Sequence, residues 1–226
     1  MKLTWLKWGA VPLAVLVSTA GATAVFAQDQ SPSQSSPTAA TPAQEPEKKA
    51  DPSIAQRKEN QQDRIANAVK SGQLTPGETA NLEKKEAAIN KETRADRAAN
   101  GGKLTSAEKA QVNGQQNQLS KQIYKDKHNA NTAHYGNNKI GQRRENQQDR
   151  IAQGIQSGQL TPGETAKLEK QQQGINKQVA TDRKANGGAL TASEKKQVNR
   201  EQNQASRNIY RKKHNAATQS NAKPKR

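Results

Sequence analysis

Ile54-Ala-Gln-Arg-Lys-Glu-Asn-Gln-Gln-Asp-Arg-Ile65 returns 86 residues later as Ile140-Gly-Gln-Arg-Arg-Glu-Asn-Gln-Gln-Asp-Arg-Ile151. The similarity continues without a gap, and residues 54–130 match residues 140–216 at 50 of 77 positions. Self-similarity at a fixed period marks a chain built from repeated structural units. We call residues 54–128 copy 1 and residues 140–214 copy 2.

Each copy carries the start and stop signals of three helices. In copy 1 the first helix is predicted from about Ile54 to Lys70, after Ser53 as N-cap and before Gly72 as the stop. The second is predicted from Thr75-Pro-Gly-Glu78, in which Thr75 caps the helix and Glu78 completes a capping box. It is expected to run to Asn100-Gly101-Gly102.

The third helix is predicted from Thr105, with Glu108 completing the box, to the basic stretch Lys125 to His128, whose charge complements the helix dipole. Copy 2 repeats these signals at Thr161, Pro162, Glu164, Gly187-Gly188, Thr191 and Glu194.

Apolar residues recur at helical spacing and leave only narrow stripes. Ile65 and Val69 lie four apart, and Val112, Leu119 and Ile123 follow at seven and four. The sequence therefore predicts an all-α fold of two tandem three-helix, hairpin-like repeats after a disordered linker. Leu119 becomes Ala205 in copy 2, so copy 2 is expected to pack more weakly.

The N-terminus has the layout of a Sec-type signal peptide over residues 1–27, with Lys2 and Lys7 before an apolar run and small residues before Ala27. Cleavage after Ala27 would make the protein secreted or periplasmic, with no stable membrane span. An uncleaved anchor is the alternative. The chain has no cysteine, which excludes disulfides and thiol chemistry.

Three further segments are expected to lack a core. Residues 28–53 are rich in Pro, Ser and Gln and hold no Ile, Leu, Val or aromatic residue, so we expect a disordered linker. Residues 129–139 form a linker that would let the copies orient semi-independently, and residues 215–226 form a basic disordered tail. Only 20 Ile, Leu and Val stand after residue 27, so marginal stability is expected.

Positive charge is the main chemical feature. Of 37 Lys and Arg two precede residue 28, and against 20 Asp and Glu the remaining chain has a net charge of +15. Clustered cations bind polyanions by releasing counterions. The candidate polyanion-binding residues are Lys125, Lys127, His128, Arg211, Lys212, Lys213 and His214. A solvated, highly soluble surface is the other interpretation of the same clusters.

The sequence gives little support for a metal site or a catalytic site. The segments Asp96–Glu108 and Asp182–Glu194 resemble calcium loops, but in either register residues without ligand oxygens fall at ligand positions, so weak calcium binding is only an alternative. One histidine per copy is too few for a metal site. We expect no catalytic residues, no cofactor, no enzyme and no small-molecule substrate.

Three motifs recur in both copies: Ser-Gly-x-Leu-Thr-x-Gly-Glu, Asn-Gly-Gly-x-Leu-Thr-x-x-Glu, and Ile-Tyr-x-x-Lys-His-Asn after Gln-Asn. On the basis of these motifs, residues 54–216 resemble uncharacterised exported bacterial proteins that carry the same repeat unit. The resemblance implies export and no assigned activity.

Two non-enzymatic functions fit the sequence. The first is a binding or scaffold module for an anionic polymer, either nucleic acid or envelope polysaccharide, with avidity from the duplication. The second is a hydrophilin-like stress or desiccation protectant, which would act by remaining hydrated.

Overall fold

The computed structural model describes residues 53–219. Within that range six α-helices and no strand are present, which confirms the all-α prediction. The helices are α1 (Ile54–Lys70), α2 (Pro76–Ala99), α3 (Ser106–Lys127), α4 (Lys139–Gln156), α5 (Pro162–Ala185) and α6 (Ala192–Lys213). The predicted signal peptide, nearly all of the residue 28–53 linker and the end of the tail lie outside the described residues.

Helix starts are where the capping signals predicted them. Thr75, Thr105, Thr161 and Thr191 each accept a hydrogen bond from the backbone N–H of the glutamate three residues on, and that glutamate bonds back to the cap. Ser53 and Gln56 form the same reciprocal pair at α1. Helix α4 begins at Lys139, because the side chain of Asn138 caps it.

Glycines end α2 in a way that few other residues allow. Gly101 and Gly102 have φ values of 62° and 90°, and the N–H of Gly102 donates to the carbonyl of Arg97 at 2.7 Å. Left-handed backbone costs least at glycine, so the Asn-Gly-Gly sequence reverses the chain between α2 and α3. Gly187 and Gly188 do the same between α5 and α6.

Helix α3 packs on α1 and α2, and α6 packs on α4 and α5 in the same way. The two outer helices, α3 and α6, do not contact each other, and each touches only the helices of its own copy. The two copies therefore place their third helices at separate flanks of the molecule.

The copies pack against each other through α2 with α5 and α1 with α4. Gly77 lies against Gln173 while Glu83 faces Glu169, so α2 and α5 run antiparallel. The expectation of semi-independent copies is wrong, since the described residues of both copies pack together in one compact unit. The linker is also held in place, because the N–H of Ala133 donates to the carbonyl of Gly72 at 2.8 Å.

One apolar core spans both copies. Side chains from α1 and α2, with Val112, Leu119 and Ile123 of α3, join Ile151, Ile155 and Ile209 from copy 2 in one cluster. In copy 2 the distal residues form a separate small cluster that includes Ala205, the counterpart of Leu119. A shorter side chain at this position coincides with a break in the core. No helix among the described residues has the length and apolarity needed to cross a bilayer.

Leu119, only 2 % exposed, offers a direct test of the shared core. We expect Leu119→Ala to lower the free energy of unfolding by about 2–5 kcal/mol, because it removes buried methyl groups and leaves a cavity. Urea denaturation followed by circular dichroism measures the change. Gln118→Ala, one residue away on the exposed face, should stay within about 0.5 kcal/mol of the original. Equal effects of the two substitutions would contradict the core assignment.

Candidate binding site and buried carboxyl cluster

The predicted polyanion-binding residues lie at the last turns of α3 and α6. Lys125, Lys127 and His128 stand at the end of α3, and Arg211, Lys212, Lys213 and His214 stand at the end of α6. The structure brings each set together but keeps the sets apart, since α3 and α6 do not touch. The molecule therefore has two basic ends at equivalent positions, of which the end of α6 is more basic because Lys212 stands where α3 has Asp126.

Each basic end carries an exposed tyrosine stacked on a histidine. The rings of Tyr124 and His128 lie 4.2 Å apart, and those of Tyr210 and His214 lie 4.1 Å apart. Tyr124 is 62 % exposed and Tyr210 58 %, and they are the only large exposed hydrophobic residues between residues 53 and 219. The small number of tyrosines does not predict these pairs. The signal that could have predicted them is the four-residue spacing of Tyr and His, which places both residues on one helix face.

The histidine and asparagine of each Lys-His-Asn motif fix the helix end. Nδ1 of His128 lies 2.7 Å from the carbonyl oxygen of Tyr124, which orients the ring for stacking. Asn129 then donates to the Glu78 carboxylate at 2.7 Å, which ties the end of α3 to the start of α2. Asn215 and Glu164 make the same link in copy 2 at 2.6 Å.

The five lysine and arginine side chains of the basic ends are not equally free. Lys212 lies 3.9 Å from the Glu164 carboxylate, in the one ion pair found within residues 53–219. The stem of Lys213 packs near Gly154, and partial burial together with the nearby Arg150 lowers the pKa of its amine. Lys125 and Arg211 are exposed, so these two are the most accessible cations of the basic ends.

The repeated Gln-Gln of each copy lies in the interior. The side-chain amide of Gln61 donates to the Gln116 carbonyl and to the Ser120 hydroxyl, both at 2.7 Å, which joins α1 to α3. Gln62 faces the other way and donates to the carboxyl of Glu83 at 3.2 Å. Copy 2 repeats both arrangements with Gln147 and Gln148. Buried amides need such partners, since an unpaired polar group in the interior is costly.

Three carboxyl groups are buried near the interface of the copies. Burial, with Glu86 and Glu169 close by, raises the pKa of Glu83 well above its ordinary value. Burial also raises the pKa of Glu169 to about 8, although Gln148 donates to it. The pKa of Glu86 rises by burial to about 7 despite the positive charge of Lys58. Burial therefore favours the protonated form of Glu83, and a pKa of about 8 keeps Glu169 mostly protonated at neutral pH.

These carboxyls have shifted pKa values of the kind found at catalytic sites, but they have no exposed surface. A group sealed in the interior cannot contact a substrate in this conformation. Their chemical effect is instead on the packing of α2 against α5, since a proton on each acid removes repulsion between Glu83 and Glu169.

The two calcium-like segments have their carboxylates engaged by protein donors. Glu108 accepts hydrogen bonds from the N–H of Thr105 at 2.8 Å and from the side-chain amide of Asn100 at 2.8 Å. Glu194 has the same partners, Thr191 and Asn186. Calcium binding would require these carboxylates to leave their caps. No group of three or more His, Asp or Glu suited to a metal ion occurs between residues 53 and 219.

No protein-family model, curated protein or solved structure matches this chain. Its function is therefore argued from its own geometry and charge.

The buried acids predict a stability that falls with rising pH. Because the folded pKa of Glu169 is raised from 4.5 to about 8, the stabilisation is complete below pH 4.5 and is lost as the pH rises through about 8. Each pKa unit corresponds to about 1.4 kcal/mol. We expect the Tm measured by calorimetry to be at least about 5 °C lower at pH 9 than at pH 5.

The variant Glu169→Gln should reduce that pH dependence and raise the Tm at pH 9, because an amide fills the same space without ionising. The control is Glu145→Gln, which removes one carboxylate at an exposed position. Its stability should depend on pH in the same way as that of the original protein. If all three proteins lose the same stability between pH 5 and pH 9, Glu169 is not the responsible group.

Proposed function

We propose that this protein is a non-enzymatic, exported binding module that holds an anionic polymer, such as a nucleic acid or an envelope polysaccharide, at two equivalent sites. The observation that carries the proposal is the pair of exposed tyrosine–histidine stacks at the basic ends of α3 and α6. Cations attract the polymer's anionic groups, and an aromatic face packs against a base or a sugar ring.

Placement of the two ends supports this function. Each Tyr–His stack is exposed, and each follows a helix whose final turn carries two or three cations. Because α3 and α6 sit on separate flanks of one compact unit, one polymer chain can contact both ends only if it spans the distance between them. Two linked contacts strengthen binding through effective concentration.

The shared core favours this function over the protectant alternative. A hydrophilin-like protectant acts by staying hydrated, whereas residues 53–219 bury a continuous apolar cluster from both copies. Buried amides also join the helices by specific hydrogen bonds. A protein that acts only as a solvated coil has no use for these contacts.

The basic end of α6 can be tested with a matched pair of variants. Arg211→Gln/Lys212→Gln should weaken binding to heparin and to single-stranded DNA about tenfold or more at low salt. The slope of log K against log salt concentration should also become less steep, by up to about 2. Fluorescence anisotropy and salt titration provide both quantities. Lys195→Gln/Lys196→Gln makes the same charge change at the exposed start of the same helix and should bind nearly as before.

Equal losses in the two double variants would show that net charge, and not the helix end, drives binding, and would overturn the proposal. Tyr210→Ala separates the two polymer types. A loss for single-stranded DNA but not for heparin identifies base stacking, and a loss for both identifies a ring contact common to sugars and bases.

Bivalency has its own test. Three variants should be compared for binding to long heparin and to a short heparin oligosaccharide. They are Lys125→Gln/Lys127→Gln, Arg211→Gln/Lys212→Gln, and the variant that combines all four substitutions. Each single-end variant should lose at least about tenfold in affinity for the long polymer, since avidity needs both ends. On the short ligand each should retain about half of the binding capacity. Unchanged long-polymer affinity with one end removed would contradict a two-site mode.

A further inference from the structure

A cleft opens at the junction of the two copies, on the side where the linker enters copy 2. Its volume is about 380 Å³, and it is walled by the linker, the first turn of α2 and one face of α5. The lining includes Gly77, His134, Tyr135, Arg144, Lys177 and Arg183. Cavities of this size hold small organic ligands.

The cleft is strongly positive. Arg144, Lys177 and Arg183 line it, and no Asp or Glu is among its lining residues. None of the three cations is paired with a carboxylate of residues 53–219, where the one ion pair is between Lys212 and Glu164. Burial is the main cause that lowers the pKa of Arg144; Tyr135 opposes this, and Arg183 is close enough to lower the pKa by a smaller effect. Two guanidinium groups thus repel each other across a cleft that lacks a counterion.

Arg144 is held in position although its charge is uncompensated. It is only 5 % exposed, its Nη2 donates to the Tyr135 carbonyl at 3.2 Å, and its guanidinium lies 5.0 Å above the Tyr135 ring. Its Nε has no hydrogen-bond partner among the described residues. Buried charges are normally paired with an opposite charge, so a fixed guanidinium that lines a cleft and has no carboxylate partner is suited to an anionic ligand.

The comparison with copy 1 shows that copy 2 has lost the expected carboxylate. The counterpart of Arg144 is Lys58, which lies near Glu86 and Glu83. In copy 2 the position of Glu86 is occupied by Gln172, a neutral amide. Copy 1 therefore has two carboxyl groups near its partly buried lysine, whereas copy 2 keeps Glu169 but has a neutral amide at the position of Glu86.

The start of α2 borders the cleft, and the Glu78 carboxylate of its first turn is engaged by the N–H and hydroxyl of Thr75. Thr75, Pro76 and Gly77 line the cleft, and α2 is a helix of 24 residues. The N-terminal end of a helix carries a partial positive charge and favours phosphate groups. A guanidinium pair next to such an end is suited to a phosphate, because arginine binds phosphate oxygens in a bidentate manner.

We propose that this cleft binds a small organic phosphate, with the phosphate between Arg144, Arg183 and the start of α2 and the organic part toward the linker and Lys177. Inorganic phosphate alone fills only a small part of the volume, so a larger phosphorylated molecule should bind more tightly. The site shares no lining residue with the basic ends of α3 and α6, and the proposal does not depend on their function.

The test uses isothermal titration calorimetry at low salt, with inorganic phosphate, glycerol phosphate and succinate as probes. Glycerol phosphate should bind more tightly than inorganic phosphate and at one site per chain. Arg183→Gln should weaken binding of both phosphates at least about tenfold, as expected for loss of a charge-assisted hydrogen bond. Arg97→Gln removes the exposed counterpart in copy 1 and should bind as the original protein does.

Several outcomes would overturn the proposal: no saturable binding of either phosphate, equal effects of Arg183→Gln and Arg97→Gln, or succinate binding more tightly than glycerol phosphate. Lys177→Gln, at an exposed position, provides a second variant if Arg183→Gln unfolds. It should weaken glycerol phosphate more than inorganic phosphate. The Arg211→Gln/Lys212→Gln variant should keep phosphate binding, so failure of the polymer sites and failure of the cleft remain distinguishable.

Discussion

Scarcity of apolar side chains is the constraint on which this structure depends. Each copy supplies about ten aliphatic residues, which is little for a stable domain. The structure answers this shortage by merging the two cores, so that Ile65 and Leu82 of copy 1 share one cluster with Ile151 and Leu168 of copy 2. Association of the copies is thus part of folding, and the duplication has a structural purpose whatever the protein binds.

Polar side chains fill the part of the interior near this junction that the apolar side chains do not occupy. Gln62 with Glu83, and Gln148 with Glu169, place an amide against a carboxyl on each side of the junction. Burial raises the pKa of both carboxyls, so it disfavours their ionisation in this space. Hydrogen bonds of this kind act only in one alignment of the helices, so each one favours a single register between the first two helices of its own copy.

Helix positions could be predicted from sequence because their signals are local. Thr75 with Glu78, and Asn100 before two glycines, define ends within a few residues. The packing of copy 1 against copy 2 could not be predicted from the sequence, because an apolar stripe such as Leu82 and Ile89 does not show which helix covers it. Gln61 and Gln62 also look like surface residues, although both are buried. At the candidate sites the cation clusters were readable from sequence, whereas the cleft required knowing that residues 75–77 and 173–183 meet.

Rigid union of the copies changes what the duplication can do in binding. Flexibly linked modules accept partners of many spacings, but their effective concentration falls as the linker lengthens. Here the linker is held at Ala133 and Tyr135, and the copies share one core, so the two basic ends keep a set separation. Less conformational entropy is then lost when the second end binds. Under the proposed function, this arrangement would favour polymers whose anionic groups match that separation, whereas a short anionic fragment would gain no affinity from the second copy.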